Sequence, residues 1–239
     1  MSGWKAKRFW KTVSVAAADG GFAILLDSRA LRTPAKAALI LPGHAMAEAI
    51  ADEWRAVEGT VDPRRMPVTR AANAAIDKVA PQFCEVAGLI AAYGGSDLLC
   101  YRAVGPAELV HAQAMAWDPL LAWAAEALQA PLVTTRGVTP VAQPDSSLAN
   151  LAARVTRCTN FQLTALHDLV SLSGSLVLGL AATTGGFDPD TLWRLSRFDE
   201  DWQSEQWGED EEAAVAAGKK REDFQLGCHF WKLSPVAAE

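Results

Sequence analysis

The sequence predicts an α+β protein: a small N-terminal α+β domain of antiparallel strands plus a helix, then a mostly α-helical C-terminal domain. Three observations carry this. The first forty residues alternate apolar and polar positions around the turn signal Asp19-Gly20-Gly21. From Pro67 onward apolar residues recur every three to four positions. Half of the 239 residues are apolar, enough to bury a real core.

In chain order, Phe9 to Val15 and Phe22 to Leu26 read as two strands of a hairpin. Asp27-Ser28-Arg29 turns the chain, Leu31 to Pro34 ends at a proline, and Ala38 to Leu41 is a third short strand. Pro42-Gly43 then opens a helix whose stripe is Met46, Ile50, Trp54 and Val57, with Gly59 closing it. The run from Val61-Asp62-Pro63 to Pro67 cannot continue a helix, so domains of residues 1–65 and 66–239 are expected.

Beyond it, Val68 to Val79 and Pro81 to Tyr93 read as two helices, ended by Gly94-Gly95-Ser96. Asp97 to Arg102 fits either a buried strand or a helical turn. A long amphipathic segment runs from Pro106 to Gln129, with Pro119 kinking or dividing it. Pro131 to Pro144 is an extended connection. Helices resume at Ser147 to Arg157, Asn160 to Leu172, Ser175 to Thr183, Pro189 to Trp207 and Glu209 to Trp231. Asp188-Pro189 supplies an N-cap followed by proline at the first helical position. The most apolar run, Leu169 to Ala182, is shorter than the ~20 residues of a bilayer span. It reads as a buried helix, and no membrane insertion is expected.

Charge is concentrated in one place. Asp199 to Glu212 holds eight acids and no base, with Trp202 and Trp207 among them; the chain as a whole carries −6. Without these fourteen residues the remainder would carry +2. A solvated acidic helix end is one reading. Indoles beside charge are also typical of a surface that meets another protein. Nucleic acid is not an expected partner, because phosphate binding needs a basic field. The basic runs Lys5 to Lys11 and Lys219 to Arg221 are short and read as solvated ends.

Catalytic signatures are sparse. H-E-x-x-H, G-x-S-x-G and G-x-G-x-x-G after a strand are missing, and Gly218-Lys219-Lys220 lacks the rest of a phosphate loop. No catalytic residue, cofactor or metal is expected. His44, His111, His167 and His229 stand apart; His167-Asp168 could form an oriented base or a plain helix pair. The carboxylates near Glu200 leave an acid/base or metal-dependent enzyme as the alternative. Cys84, Cys100, Cys158 and Cys228 lie far apart without C-x-x-C, as expected of reduced thiols. Met1 to Lys11 is basic but has no apolar core, so no secretory signal is read there; a bacterial cytoplasmic location is expected, a mitochondrial-matrix counterpart needing a transit peptide that is not read here.

Eight motifs, in order along nearly the full length, together carry a family resemblance. They are K-R-F-W-K-x-V-x-V (Lys7 to Val15), L-D-S-R-A-L-R-T-P (Leu26 to Pro34), E-W (Glu53-Trp54), M-P-V-T-R-A-A-N-A-A-I-D (Met66 to Asp77), S-D-L-L-C-Y-R-A (Ser96 to Ala103), W-D-P-L-L-A-W (Trp117 to Trp123), G-S-L-V-L-G-L-A (Gly174 to Ala181) and S-R-F-D-E-D-W-Q-S-E-Q-W-G-E-D-E-E-A (Ser196 to Ala213). This pattern resembles the assembly chaperones of the F-type ATP synthase that bind the α subunit of its catalytic head. The resemblance implies a non-catalytic protein that holds the unassembled α subunit; a monomer is expected when it is free. The same resemblance implies partner-binding residues in the last motif: Asp199, Glu200, Trp202, Gln203, Trp207 and Gly208; Glu205, an acid of the same stretch, is a further candidate of the sequence itself. The motifs Leu26 to Pro34 and Met66 to Asp77 have a second reading as turns and helix starts that the fold needs.

Overall fold

The computed structural model describes residues 7–208 and 210–234. The expected readings on Lys5, the first residues of the chain and Glu209 lie outside them. The chain packs as two compact units, one taking it up to Phe83 with Thr159–Ala165 and the segment from His229, the other Cys84–Cys158 and Leu166–Cys228. Position 65/66 lies within the first of these, beside the 3-10 turn Pro63–Arg65.

In the first unit, β1 (Val13–Ala18) and β2 (Gly21–Leu26) form the expected hairpin, with Ala18 opposite Gly21 across Asp19-Gly20. β2 is central. On its other side β3 (Arg29–Ala30) pairs with Leu25 and Leu26, and β4 (Ile40–Leu41) pairs with Phe22 and Ala23. Helix α1 (His44–Arg55) packs on β1 and β2 and buries Met46 and Ile50 fully, as the stripe predicts. Trp10, Leu26, Val57 and Met66 form a cluster that Val13, Leu31, Trp54 and Val61 close.

Carboxylates tie this unit together where motifs recur. Asp27 Oδ1 accepts from the Lys11 and Thr12 amides and the Thr12 hydroxyl at 2.9–3.0 Å, pinning the turn to the start of β1. Glu53, on α1, accepts from the Val68 and Thr69 amides at 2.7 and 2.8 Å and from the Thr69 hydroxyl at 2.6 Å. It therefore serves the orphan amides of α2 (Pro67–Ala74) in the place of a local N-cap, which Met66 cannot provide. Asp77 accepts from the Thr33 hydroxyl at 2.6 Å and the Ala35 amide at 3.0 Å. In both long motifs, then, the acids and threonines hold turns and helix starts.

The two helices expected from Val68 to Tyr93 are instead one interrupted run. After α2 come a π-helical turn (Ala75–Val79), a 3-10 turn (Ala80–Gln82), α3 (Phe83–Ala92) and further 3-10 turns at Tyr93–Gly95 and Leu98–Cys100. By length and composition alone, Pro67–Cys100 matches a membrane span, with mean hydropathy 1.3. The core helices of soluble proteins share that composition, and the hydrogen-bonded Asp77 lies inside the run.

In the second unit the ambiguous Asp97 to Arg102 is both of its readings in succession: the 3-10 turn Leu98–Cys100, then β5 (Tyr101–Arg102), parallel to β6 (Thr135–Arg136). Helix α4 (Ala107–Ala127) runs through Pro119 undivided. Buried Trp117 and Leu120 flank the proline, and that packing offsets the lost backbone bond. Beyond it lie α5 (Asp145–Thr156), α6 (Asn160–Ser173) and α7 (Leu176–Thr183). The apolar run Leu169 to Ala182 is not one helix: it turns at Gly174, φ 69°, between α6 and α7.

Asp97 organises this region. Fully buried, it accepts from the Ser175 hydroxyl (2.7 Å), the Val177 amide (3.0 Å) and the Leu99 amide (3.1 Å). Burial pushes its carboxyl above the usual range, and the amides of the α7 N-terminus oppose that shift.

Candidate functional site

The helix expected over Pro189 to Trp207 is two. Asp188 caps α8 (Pro189–Ser196) through the Thr191 amide at 2.9 Å, and Arg197, at φ −110° and ψ 13°, breaks it from α9 (Phe198–Trp207). The break has a physical cause. The Leu195 carbonyl accepts from Trp117 Nε1 at 2.9 Å and the Trp193 carbonyl from the Ser196 hydroxyl at 2.7 Å, so side chains serve carbonyls at the end of α8. Gly208, at φ 96°, ends α9 in a backbone conformation that suits glycine. Helix α10 (Glu211–Leu233) follows, capped by Asp210, which accepts from the Glu212 and Ala213 amides.

The acids are therefore not equivalent. Asp199, Glu200 and Asp201 occupy the first turn of α9, and Glu211 and Glu212 the first turn of α10, where the helix dipole favours negative charge. Asp199 is half-buried and accepts a hydrogen bond from the Gln113 side chain. Glu200 and Asp201 lie 3.8 and 3.6 Å from Arg197, exposed pairs worth about 0.2–1 kcal/mol at most. Glu205 is exposed and meets no base among the described residues.

Helix α9 buries no residue, yet it carries two indoles. Trp202 is half-buried, whereas Trp207 is 80% exposed. Open clefts line it on three sides. One of about 350 Å³ lies between Arg194 and Leu195 of α8 and Phe198 and Trp202. A second, about 900 Å³, faces the alanines of α10, and a third, about 550 Å³, lies between Pro106 and Leu109 and the residues Trp202, Gln203, Gln206 and Trp207. Beneath, Phe198 meets the fully buried Trp117 edge-on at 5.9 Å, and Arg102 covers Trp117 while pairing with Asp118 at 2.7 Å.

Glu200, Trp202, Gln203, Glu205, Trp207 and Gly208 thus all border these clefts, while Asp199 turns inward. Sequence reasoning passed over Pro106, Leu109 and Gln113 as site residues. One signal was available: Gln113 interrupts the stripe Leu109, Trp117, Leu120 and Ala124 on an apolar helix face.

The remaining sequence candidates are dispersed. His167 Nδ1 lies 3.0 Å from Asp168 on an exposed stretch of α6, and that hydrogen bond raises its pKa. Among the described residues no group of three or more His, Cys, Asp or Glu is placed to hold a metal. Cys84 is exposed and Cys100 buried, with burial pushing the Cys100 thiol up to about 12 and that of Cys158 to about 11. Lys219 to Arg221 is not merely a solvated end, because Arg221 pairs with Asp190 at 2.9 Å.

The same fold occurs in the crystal structure of Atp12 from Paracoccus denitrificans, 52% identical, with a TM-score of 0.94 over 96% of this chain and 99% of that one. An aspartate-to-lysine variant of the P. denitrificans protein matches equally, at 52% identity and TM-score 0.94 over 96% and 98% of the two chains. A protein of Agrobacterium tumefaciens, 42% identical, matches at 0.90 over 95% of this chain and 86% of that one. The strand-bearing unit and the helical unit are together the fold of the Atp12 structures, a class that the family description calls chaperones. The family model described as ATP12 chaperone protein matches residues 7–125. The chain belongs to the ATP12 chaperone family.

Proposed function

We propose that the protein captures the unassembled α subunit of the F-type ATP synthase through α9, and holds it until the catalytic head assembles. The observation that carries this reading is a helix with no buried residue, two indoles, a run of acids and open clefts on three sides. An indole 80% exposed contributes little to folding; at an interface it supplies a large apolar contact. The surrounding acids orient a basic partner and speed encounter. A moderate apolar contact ringed by charge also allows release to the final subunit. The protein acts as a monomer in the bacterial cytoplasm and performs no catalysis.

The test is co-expression with the α or the β subunit. Soluble α should rise several-fold with the chain present and soluble β should not. Equal rescue of both, or of neither, refutes the assignment.

A further inference from the structure

We infer that Gln113 is a positioning residue that fixes α9 against the loop opposite it and so sets the width of the Pro106–Trp207 cleft. The inference rests on the reading of α9 as the docking surface. Gln113 is fully buried on α4, where a polar side chain is costly unless every hydrogen-bonding group is used. Both ends are used. Its Oε1 accepts from the Ala103 amide at 2.8 Å, and its Nε2 donates to Asp199 Oδ1. The orientation of the amide is unambiguous, because the backbone N–H at Ala103 can only donate and therefore fixes the oxygen on that side.

The two anchored points are the bases of the two walls. Ala103 leads through Val104 into Gly105 and Pro106, which with Leu109 line one side of the cleft, and Asp199 is in the first turn of the helix whose Trp202 and Trp207 line the other. One side chain thus spans the gap. Apolar packing at this position would fill the volume but leave α9 untied to Ala103, and α9, which buries no residue of its own, would be directed by its Phe198 contact with Trp117 without that link.

The substitution Q113E separates the two halves of the link. The introduced carboxylate still accepts from the Ala103 amide, but it meets the Asp199 carboxylate with no donor between them. In the double variant Q113E/D199N the asparagine amide donates to the introduced carboxylate, and the bridge is restored with the charge on the other partner. Two readouts are needed, and hydrogen–deuterium exchange works without any partner. In Q113E, exchange over residues 198–207 should quicken while residues 103–109 stay protected, and the affinity for the α subunit should fall at least tenfold. Q113E/D199N should recover the slow exchange over residues 198–207. If Q113E proves too unstable, Q113L tests the link instead, with faster exchange expected in both segments and weaker capture.

Unchanged exchange over 198–207 in Q113E overturns the inference, as does failure of the double variant to recover while its melting temperature matches that of wild type. If exchange behaves as expected and wild type itself fails to capture α, the link stands and the reading of α9 as the docking surface is what falls.

Discussion

Replacing Trp207 by alanine separates docking from folding. With the side chain 80% exposed at the end of a helix that buries nothing, its removal should cost at most about 0.5 kcal/mol of stability. Trp117→Ala provides the contrast. That indole is fully buried, donates to the Leu195 carbonyl at 2.9 Å, meets Phe198 at 5.9 Å and lies under Arg102 at 5.3 Å, so its loss should cost about 3–5 kcal/mol. For binding, the order reverses relative to stability. An aromatic anchor at an interface contributes at least about 2 kcal/mol, so Trp207→Ala should weaken α capture roughly thirtyfold. The assay pairs thermal melts of each variant alone with titration of α and with soluble α on co-expression. If Trp207→Ala keeps α fully soluble, or melts as early as Trp117→Ala, the reading of α9 as a docking helix is refuted. Glu200→Gln should barely move the melt, since its pair with Arg197 is long and exposed, and should slow association with α more than it speeds dissociation.

Asp97→Ala strands the Val177 and Leu99 amides and the Ser175 hydroxyl, and should destabilise by about 3–5 kcal/mol in urea titration; a loss below about 1 kcal/mol would show that Asp97 does not hold this region. Gly179→Ala should destabilise by about 1–3 kcal/mol, because its new methyl would meet Val170 at 2.5 Å; a melt equal to wild type would mean that α6 and α7 can part there. Acid should weaken the fold. The Thr12 and Lys11 amides hold Asp27 below the usual carboxylate range, the Thr191 hydroxyl and amide do so for Asp188, and Arg221 with Gln225 does so for Asp190. Depressed carboxylates stabilise above their unfolded pKa near 4 and lose that contribution as pH falls through the folded value, so the melting temperature should drop below about pH 4. Asp27→Asn should flatten that drop, and an unaltered profile would exclude Asp27 as a contributor.

Local signals determined most of the elements. The period-two stretch on either side of Asp19-Gly20 became β1 and β2, and the stripe of Met46 and Ile50 became the buried face of α1, because alternation and helical spacing act over a few residues. The Asp188-Pro189 cap was legible for the same reason. The acids and indoles of α9 could be read as a distinctive run, but their roles could not. Asp199 and Glu200 are adjacent in sequence, and only the approach of Gln113, eighty-six residues away, turns the first inward while the second stays in solvent. Tertiary contacts also decided where helices stop. Pro119 sits inside α4 because Trp117 and Leu120 pack around it, and Arg197 ends a run that its own periodicity would have carried on, because the Trp117 indole takes the Leu195 carbonyl. Propensity at these points is worth about a kilocalorie per mole or, for proline, about three, and buried packing with hydrogen bonds from distant residues outweighs it.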